Sequence, residues 1–138
     1  MNTENLNEKV SVNINTSTLS QIDLLVDNGY YSNRSDFINQ SLRDTLRQQQ
    51  STLDRIIDQQ QSKPDLSKEP WFIGVAGYTA ADIKEMYEQG GGFTITGYGV
   101  LRIDSDIDEE MLFAAVQKIS VKGKVVCSRS VREHYGLK

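Results

Sequence analysis

The segment "KVSVNIN", residues 9–15, constrains the fold more than any other part of the sequence. Val10, Val12 and Ile14 alternate with polar residues, and a period of two is typical of a β-strand with one apolar and one polar face. A helical pattern begins directly afterwards, so the chain offers no hairpin partner. Because a lone strand can neither bury its apolar face nor satisfy its backbone, we expect it to pair antiparallel with the same strand of a second copy.

Composition and charge exclude several classes of protein. The 138 residues are 38% hydrophobic and 25% charged, with a net charge of −4, which argues against polyanion binding by bulk charge. No apolar run approaches the roughly 18 residues that span a bilayer. The start "MNTENLNEKV" lacks the features of a signal peptide, so we expect a cytoplasmic protein. One cysteine and one histidine cannot make a disulfide or an ordinary zinc site, and we expect no metal and no cofactor.

Two helices are predicted after the strand. Asn15 or Thr16 can cap the first helix, and Gly29 is placed to end it in the left-handed conformation. Ser32 is predicted to cap the second helix. The apolar residues of the two helices fall at helical spacing: Leu19, Ile22, Leu25 and Val26, then Phe37, Ile38, Leu42 and Leu46.

The second helical pattern continues beyond Gln50. Its apolar and glutamine positions are spaced by alternating intervals of four and three residues, a heptad pattern: Leu42, Leu46, Gln49, Leu53, Ile56 and Gln60. Either an amphipathic helix covers its own core, or a helix of up to about 28 residues, roughly 42 Å long, pairs with a second copy.

Both prolines lie in "SKPDLSKEP", and proline ends helices and favours extended neighbours. We therefore predict four segments: a disordered arm over residues 1–8, a strand–helix–helix domain over 9–61, a linker over 62–70 and a small α/β domain over 71–138. The fold class expected for the whole chain is α+β.

The C-terminal domain is predicted to consist of βα units with adjacent strands. Thr79 caps its first helix and the "GGG" run ends it. A weak internal repeat of about 26 residues accompanies this pattern. The predicted strands are "WFIGVAG", "FTITGYGVLRID" and "ISVKGKVVCS", and the predicted helices are "TAADIKEMYEQ", "DIDEEMLFAAVQK" and "SRSVREHYGLK".

The strand, the capped helix, "GYYSNRSDFI" and the second helix together resemble the ribbon-helix-helix (Arc/MetJ/CopG-type) DNA-binding family over residues 8 to about 48. The resemblance implies an intertwined dimer whose two-stranded ribbon enters the DNA major groove. Lys9, Ser11 and Asn13 would then read bases. Alternation alone favours an ordinary solvated strand face, and the attached motif shifts the interpretation to base reading. Lysine can donate to guanine, and asparagine can pair with adenine.

The resemblance also implies a phosphate site at the start of the second helix, where free amides favour an anion. Its residues would be Ser32, Asn33, Arg34 and Ser35. Arg34 has the alternative of pairing with Asp36 or Glu8, and Ser32 of serving only as a cap. The dimer core implied by the family comprises Val10, Val12, Ile14, Leu19, Ile22, Leu25, Phe37, Ile38 and Leu42. Tyr30 and Tyr31 are expected to pack at the helix junction.

Charge departs from the family pattern. Residues 1–50 hold four basic and six acidic side chains, whereas many relatives are more basic on the side that meets DNA. We therefore expect modest affinity for each dimer, with a shallow dependence on salt. Several dimers on adjacent sites would compensate, because linked binding events multiply affinity.

The role of the C-terminal domain is less constrained. Family members often carry a second domain that senses a ligand or assembles copies, and nickel-responsive regulators use a His/Cys set that this chain lacks. Asp104, Asp106 and Asp108 have the spacing of calcium ligands but not the glycine and glutamate of the loop. Cys127 and His134 form no recognisable catalytic motif. We expect assembly of copies, with binding of a protein partner or a small ligand as the alternative.

The resemblance to the family implies a transcriptional regulator that acts as a repressor on operator DNA. It would have no enzymatic activity. Its partners would be double-stranded DNA and further copies of itself, as a dimer or as a tetramer or higher oligomer, and not a membrane. Two alternatives stay open: the antitoxin of a toxin–antitoxin pair, and an architectural or segregation protein that coats DNA.

Overall fold

The computed structural model describes residues 6–62 and 68–137. In it the chain forms two compact units, the first over residues 9–62 and the second over residues 68–137 together with 6–8. Most of the predicted disordered arm (residues 1–5) and the centre of the predicted linker (residues 63–67) lie outside the described residues. None of the described helices is long and apolar enough to cross a membrane.

The described part of the first unit contains the helices α1 (Thr16–Asp27), α2 (Arg34–Gln48) and α3 (Gln50–Gln61). The long second helix of the prediction is thus interrupted at Gln49. The Gln49 amide still donates to the Thr45 carbonyl at 3.1 Å, and its carbonyl accepts from the Leu53 amide at 2.9 Å. The helical hydrogen bonds therefore continue across the interruption.

Local capping explains where α1 begins and ends. The Asn15 side chain accepts from the Ser17 amide at 2.9 Å, which satisfies one free donor of the first turn. At the other end Gly29 has φ 84°, and its amide donates to Val26 while the Tyr30 amide donates to Leu25. This paired arrangement is the Schellman motif, and it confirms the predicted helix stop.

The first unit buries very little within one chain. Ile22 is the only buried residue among residues 9–62. Of the nine residues predicted for the dimer core, Leu19, Leu25 and Phe37 are half-buried. Apart from these three and the buried Ile22, the remaining five are exposed, and two of them very strongly: Val10 (74%), Val12 (71%), Ile14, Ile38 and Leu42.

The predicted strand over residues 9–15 is not formed in the single chain, where residues 6–15 have no regular structure. This follows from the absence of a pairing partner in one copy, because a strand needs a neighbour to satisfy its backbone. The ribbon of two such strands stays a prediction.

The second unit alternates strands and helices, and its strands pair in parallel in the order β1-β2-β3. This confirms the predicted βα units with adjacent strands. The elements are β1 (Trp71–Tyr78), α4 (Ala80–Glu88), β2 (Phe93–Ile103), α5 (Glu109–Ala115), β3 (Val116–Val126) and α6 (Arg129–Tyr135).

One predicted boundary in the second unit is wrong. The sequence predicted a helix through Lys118 and a strand from Ile119, but α5 ends at Ala115 and β3 begins at Val116. Val116 is fully buried and pairs with Phe93 of β2. Burial in the sheet suits this β-branched side chain, so packing overrides the local helical pattern.

An apolar core holds the second unit together. Ile83 of α4 and Leu112 of α5 lie fully buried with Ile95 and Leu101 of β2. Thr79 begins α4 as predicted: its hydroxyl accepts from the Asp82 amide at 3.3 Å, and its own amide donates to the Asp82 carboxylate at 2.8 Å. This reciprocal pair is a capping box.

A row of glycines crosses all three strands of the sheet. Gly74, Gly99 and Gly123 stand opposite one another, with φ of 99°, 126° and 140°. A Cβ atom on Gly99 would overlap the carbonyl oxygen of Gly74, and one on Gly123 would overlap that of Gly99. Only glycine adopts this backbone conformation cheaply, so the row fixes how closely the strands approach.

We expect Gly99→Ala to lower the free energy of unfolding of the second unit by roughly 3 kcal/mol, because it combines backbone strain with a steric overlap. Thermal denaturation followed by circular dichroism measures this change. Gly77→Ala is the matched control in the same sheet, since Gly77 has no positive φ and its added Cβ would make only an ordinary contact, 3.9 Å from Arg102 O. Equal stability of the two variants would contradict a special role for the row.

Candidate nucleic-acid interface

The three predicted base-reading residues lie on the exposed segment that leads into α1. Lys9, Ser11 and Asn13 are exposed, and so are Val10 and Val12 between them. In one copy the apolar and polar residues of this segment are therefore not separated onto two different faces. Strand pairing would create these two sides, because successive residues of a strand point to opposite faces.

The start of α2, the predicted phosphate site, is capped by Asn33 and not by Ser32 as predicted. The Asn33 side chain accepts from the Asp36 amide at 2.8 Å. The Asp36 carboxylate in turn accepts from the Ser32 amide at 2.9 Å and from the Gln40 side chain at 3.0 Å. These hydrogen bonds, the Ser32 amide first, lower the pKa of Asp36.

This capping reduces the number of backbone amides that can donate to an anion at the N-terminus of α2. The amides of Ser32 and Asp36 are engaged by side chains, whereas the capping bonds do not use those of Arg34 and Ser35. The Ser35 hydroxyl is exposed in the same turn. A phosphate would meet these donors and the positive helix end, but also the negative charge of Asp36.

Arg34 pairs with Asp23, which sequence reasoning missed. Its Nε and one terminal nitrogen each donate to a carboxylate oxygen of Asp23 at 2.8 Å. The alternative partners named from the sequence, Asp36 and Glu8, are therefore wrong. The bidentate geometry joins α1 to α2, and the Arg34 hydrogen bond holds the pKa of Asp23 below its usual value.

The ion pair does not use the whole guanidinium group. An arginine has five N–H donors, and Asp23 occupies only the edge formed by Nε and Nη2. The Arg34 side chain is 57% exposed, so its Nη1 edge can still donate to a phosphate. Asp23 would then orient Arg34 for this contact.

The two tyrosines at the helix junction differ. Tyr31 packs edge-on against Phe37, with the ring centroids 4.9 Å apart, as predicted. Tyr30 is 72% exposed, so its predicted packing does not occur in the single chain.

The second unit holds the remaining residues considered for chemistry. Burial raises the pKa of the half-buried Cys127 thiol, which disfavours the reactive thiolate. His134 stacks on Phe113, with ring centroids 3.6 Å apart. Over residues 6–62 and 68–137, no three His, Cys, Asp or Glu side chains are grouped closely enough to hold a metal ion.

Comparison with known families identifies a match over nearly the whole chain. The model of the Ribbon-Helix-Helix transcriptional regulator family matches residues 5–132. This match includes most of the second unit, whereas the resemblance seen in the sequence covered residues 8 to about 48. Neither a curated protein nor a solved structure matches the chain.

We expect Arg34→Ala to raise the pKa of Asp23 toward the ordinary aspartate value, because the guanidinium is the main cause of its lowering. A folded-state pKa that is lowered stabilises the protein at neutral pH, and this stability is lost as pH falls below about 4. Titration of the aspartate carboxyls by NMR measures the pKa of Asp23 and that of Asp36. Asp36 is the internal control, since its pKa depends first on the Ser32 amide; an unchanged Asp23 titration would contradict the ion pair.

Proposed function

Because this chain belongs to the ribbon-helix-helix transcriptional regulator family, we propose that it acts as a sequence-specific repressor that binds operator DNA as a homodimer. In this proposal two copies of residues 9–15 pair as an antiparallel ribbon in the major groove. The ribbon and the helices behind it form one intertwined domain. Repression follows from occupying DNA that the transcription machinery needs.

The observation that carries the proposal is the uncovered apolar surface of the first unit. Only Ile22 is buried over residues 9–62, while Val10, Val12 and Leu42 are between 56% and 74% exposed. Burying each such side chain fully is worth about 1.5–3 kcal/mol. A second copy supplies a matching apolar surface, which makes dimerisation and folding of this unit one process.

The proposed ribbon separates the two kinds of side chain that alternate over residues 9–15. Val10, Val12 and Ile14 turn toward the helices of both copies. The opposite face then presents Lys9, Ser11 and Asn13 from each strand to base edges. A two-stranded ribbon has the width that the major groove accepts.

Phosphate contacts would come from the start of α2 in each copy. The donors best placed are the amides of Arg34 and Ser35, the Ser35 hydroxyl and the outer edge of the Arg34 guanidinium. Asp36 opposes an anion there, and the first 50 residues have a net negative charge. Each dimer is therefore expected to bind DNA modestly, with occupancy raised by neighbouring dimers.

The two alternatives, an antitoxin and a DNA-coating protein, predict different properties of the chain. The part of an antitoxin that masks its toxin is usually disordered when free, and the apolar core of the second unit counts against that alternative. A DNA-coating protein needs little sequence preference. The binding experiment below separates it from a repressor.

We expect the chain to prefer DNA from upstream of its own gene over a scrambled duplex of equal length by tenfold or more. The double variant Lys9→Ala with Asn13→Ala should lose this preference, because each base contact contributes about 1–3 kcal/mol of discrimination. Fluorescence anisotropy at two salt concentrations measures both affinities.

The exposed Lys84 in α4 provides a control for that experiment, since Lys84→Ala removes the same charge from the second unit. Equal, salt-sensitive binding of the wild type to both duplexes would favour a DNA-coating protein. An unchanged preference in the double variant would show that these residues do not read bases.

We expect Val12→Asp to weaken dimerisation by about 3 kcal/mol or more, over a hundredfold in the dissociation constant, because it buries an unpaired carboxylate. Sedimentation velocity measures the loss. Ser11→Asp is the matched control one residue away: its carboxylate stays on the polar face, so the dimer should persist while DNA binding falls. A dimer that tolerates Val12→Asp would contradict the proposed ribbon.

A further inference from the structure

We propose that the parallel sheet of the second unit continues from one copy to the next, with the β1 edge of one chain pairing in parallel with the β3 edge of another. The occupant of the β1 edge is thus a second copy of this chain. This interface consists only of the paired β1 and β3 edges, and its formation does not require DNA. It is separate from the ribbon that joins two copies through residues 9–15.

The glycine row supplies the first observation. Within one chain, the space left by the absent Cβ of Gly99 is filled by the Gly74 carbonyl, and that of Gly123 by the Gly99 carbonyl. Each glycine thus receives the carbonyl of the preceding strand. Gly74 has the same positive φ, yet nothing lies within 4 Å of its Cβ position.

The empty position at Gly74 has a natural complement at the other side of the sheet. By the same repetition, the Gly123 carbonyl would point to the outer edge of β3, where the Val125 carbonyl accepts from Arg132 Nη2 at 2.7 Å. A second copy whose Gly123 stands opposite Gly74 would fill the position in the way that the two internal pairs already do. In one chain no group packs at the Cβ position of Gly74; in the assembly the Gly123 carbonyl of a second copy would pack there.

The outer edge of β1 is also equipped for pairing. The Pro70 carbonyl accepts from the Thr96 amide within β2 at 3.0 Å, and the Tyr78 carbonyl accepts from the Asp104 amide just after β2 at 3.2 Å. Since backbone groups alternate in direction along a strand, those of Ile73 and Val75 point outward. Both side chains are exposed, at 47% and 66%, and β1 has no charged residue to discourage pairing.

Charge selects which edge can bind there. The exposed side of β3 carries three lysines, Lys118, Lys122 and Lys124. Two β3 edges would bring these like charges together, which is unfavourable between neighbouring strands. With Gly74 opposite Gly123, Lys122 stands beside Ile73 and Lys124 beside Val75, so the aliphatic parts of the lysines can pack on apolar side chains.

Such an interface joins different surfaces of the two copies. Contacts of this head-to-tail kind form rings if the rotation closes and open filaments if it does not. A dimer joined through the ribbon carries two β1 edges and two β3 edges, so it can connect to neighbours on both sides. This would supply the cooperative occupancy that weakly binding dimers need.

The test changes the charge of the β1 edge in the full-length protein without DNA. Ile73→Lys with Val75→Lys places lysines opposite lysines and should weaken association beyond the dimer at least about tenfold. Ile73→Glu with Val75→Glu places carboxylates opposite the same lysines and should preserve or strengthen it. Sedimentation velocity over a range of concentrations measures both, and Tyr87→Lys, at an exposed position of α4, is the control.

The opposite response of the two charge variants is what identifies β3 as the partner. Equal weakening by lysine and glutamate would mean that β1 pairs with another β1 or with a different apolar surface, and would overturn the proposal. So would two variants that associate like the wild type, or a wild type that never exceeds a dimer. Because the variants leave residues 9–62 unchanged, binding of a dimer to one short DNA site reports separately on the proposed function.

Discussion

The main constraint on this protein is that the apolar side chains over residues 9–62 are left largely uncovered within one chain. One chain gives this unit two capped and well-formed helices, yet only Ile22 is buried. Val10, Val12 and Ile14 lie on a segment without regular structure, so strand formation and core formation both require the same missing surface. In the proposed dimer a second copy supplies both at once, so that folding, dimerisation and the formation of the proposed DNA-reading face would be one process.

The second unit has the opposite character. Its apolar core forms within one chain, and what it leaves open is the edge of a sheet, where Gly74 has a positive φ and nothing lies within 4 Å of its Cβ position. The two proposals therefore assign a different kind of self-association to each unit, one through apolar surface and one through strand pairing. Together they would allow a chain with few basic residues in its first 50 positions to occupy DNA, because several modest contacts would be linked.

The sequence predicts what local chemistry determines and misses what tertiary geometry determines. Gly29 ends a helix as predicted because the Schellman motif needs only neighbouring residues. The sequence did not predict that Asn33 rather than Ser32 caps α2. Asp36 determines this choice, because its amide donates to the Asn33 side chain while its carboxylate accepts from the Ser32 amide. The ion pair of Arg34 spans eleven positions and follows from the crossing of two helices. The sequence contains Gly74, Gly99 and Gly123, but only the strand register shows that they form a row.

The most direct test of the central claim is hydrogen–deuterium exchange at residues 9–15 as a function of protein concentration. If a second copy completes the first unit, the amides of this segment that bond across the ribbon are protected when the protein is dimeric. They exchange freely after dilution below the dissociation constant of the dimer. Rapid exchange of the whole segment at every concentration, in a protein shown to be dimeric, would contradict the ribbon and the function built on it.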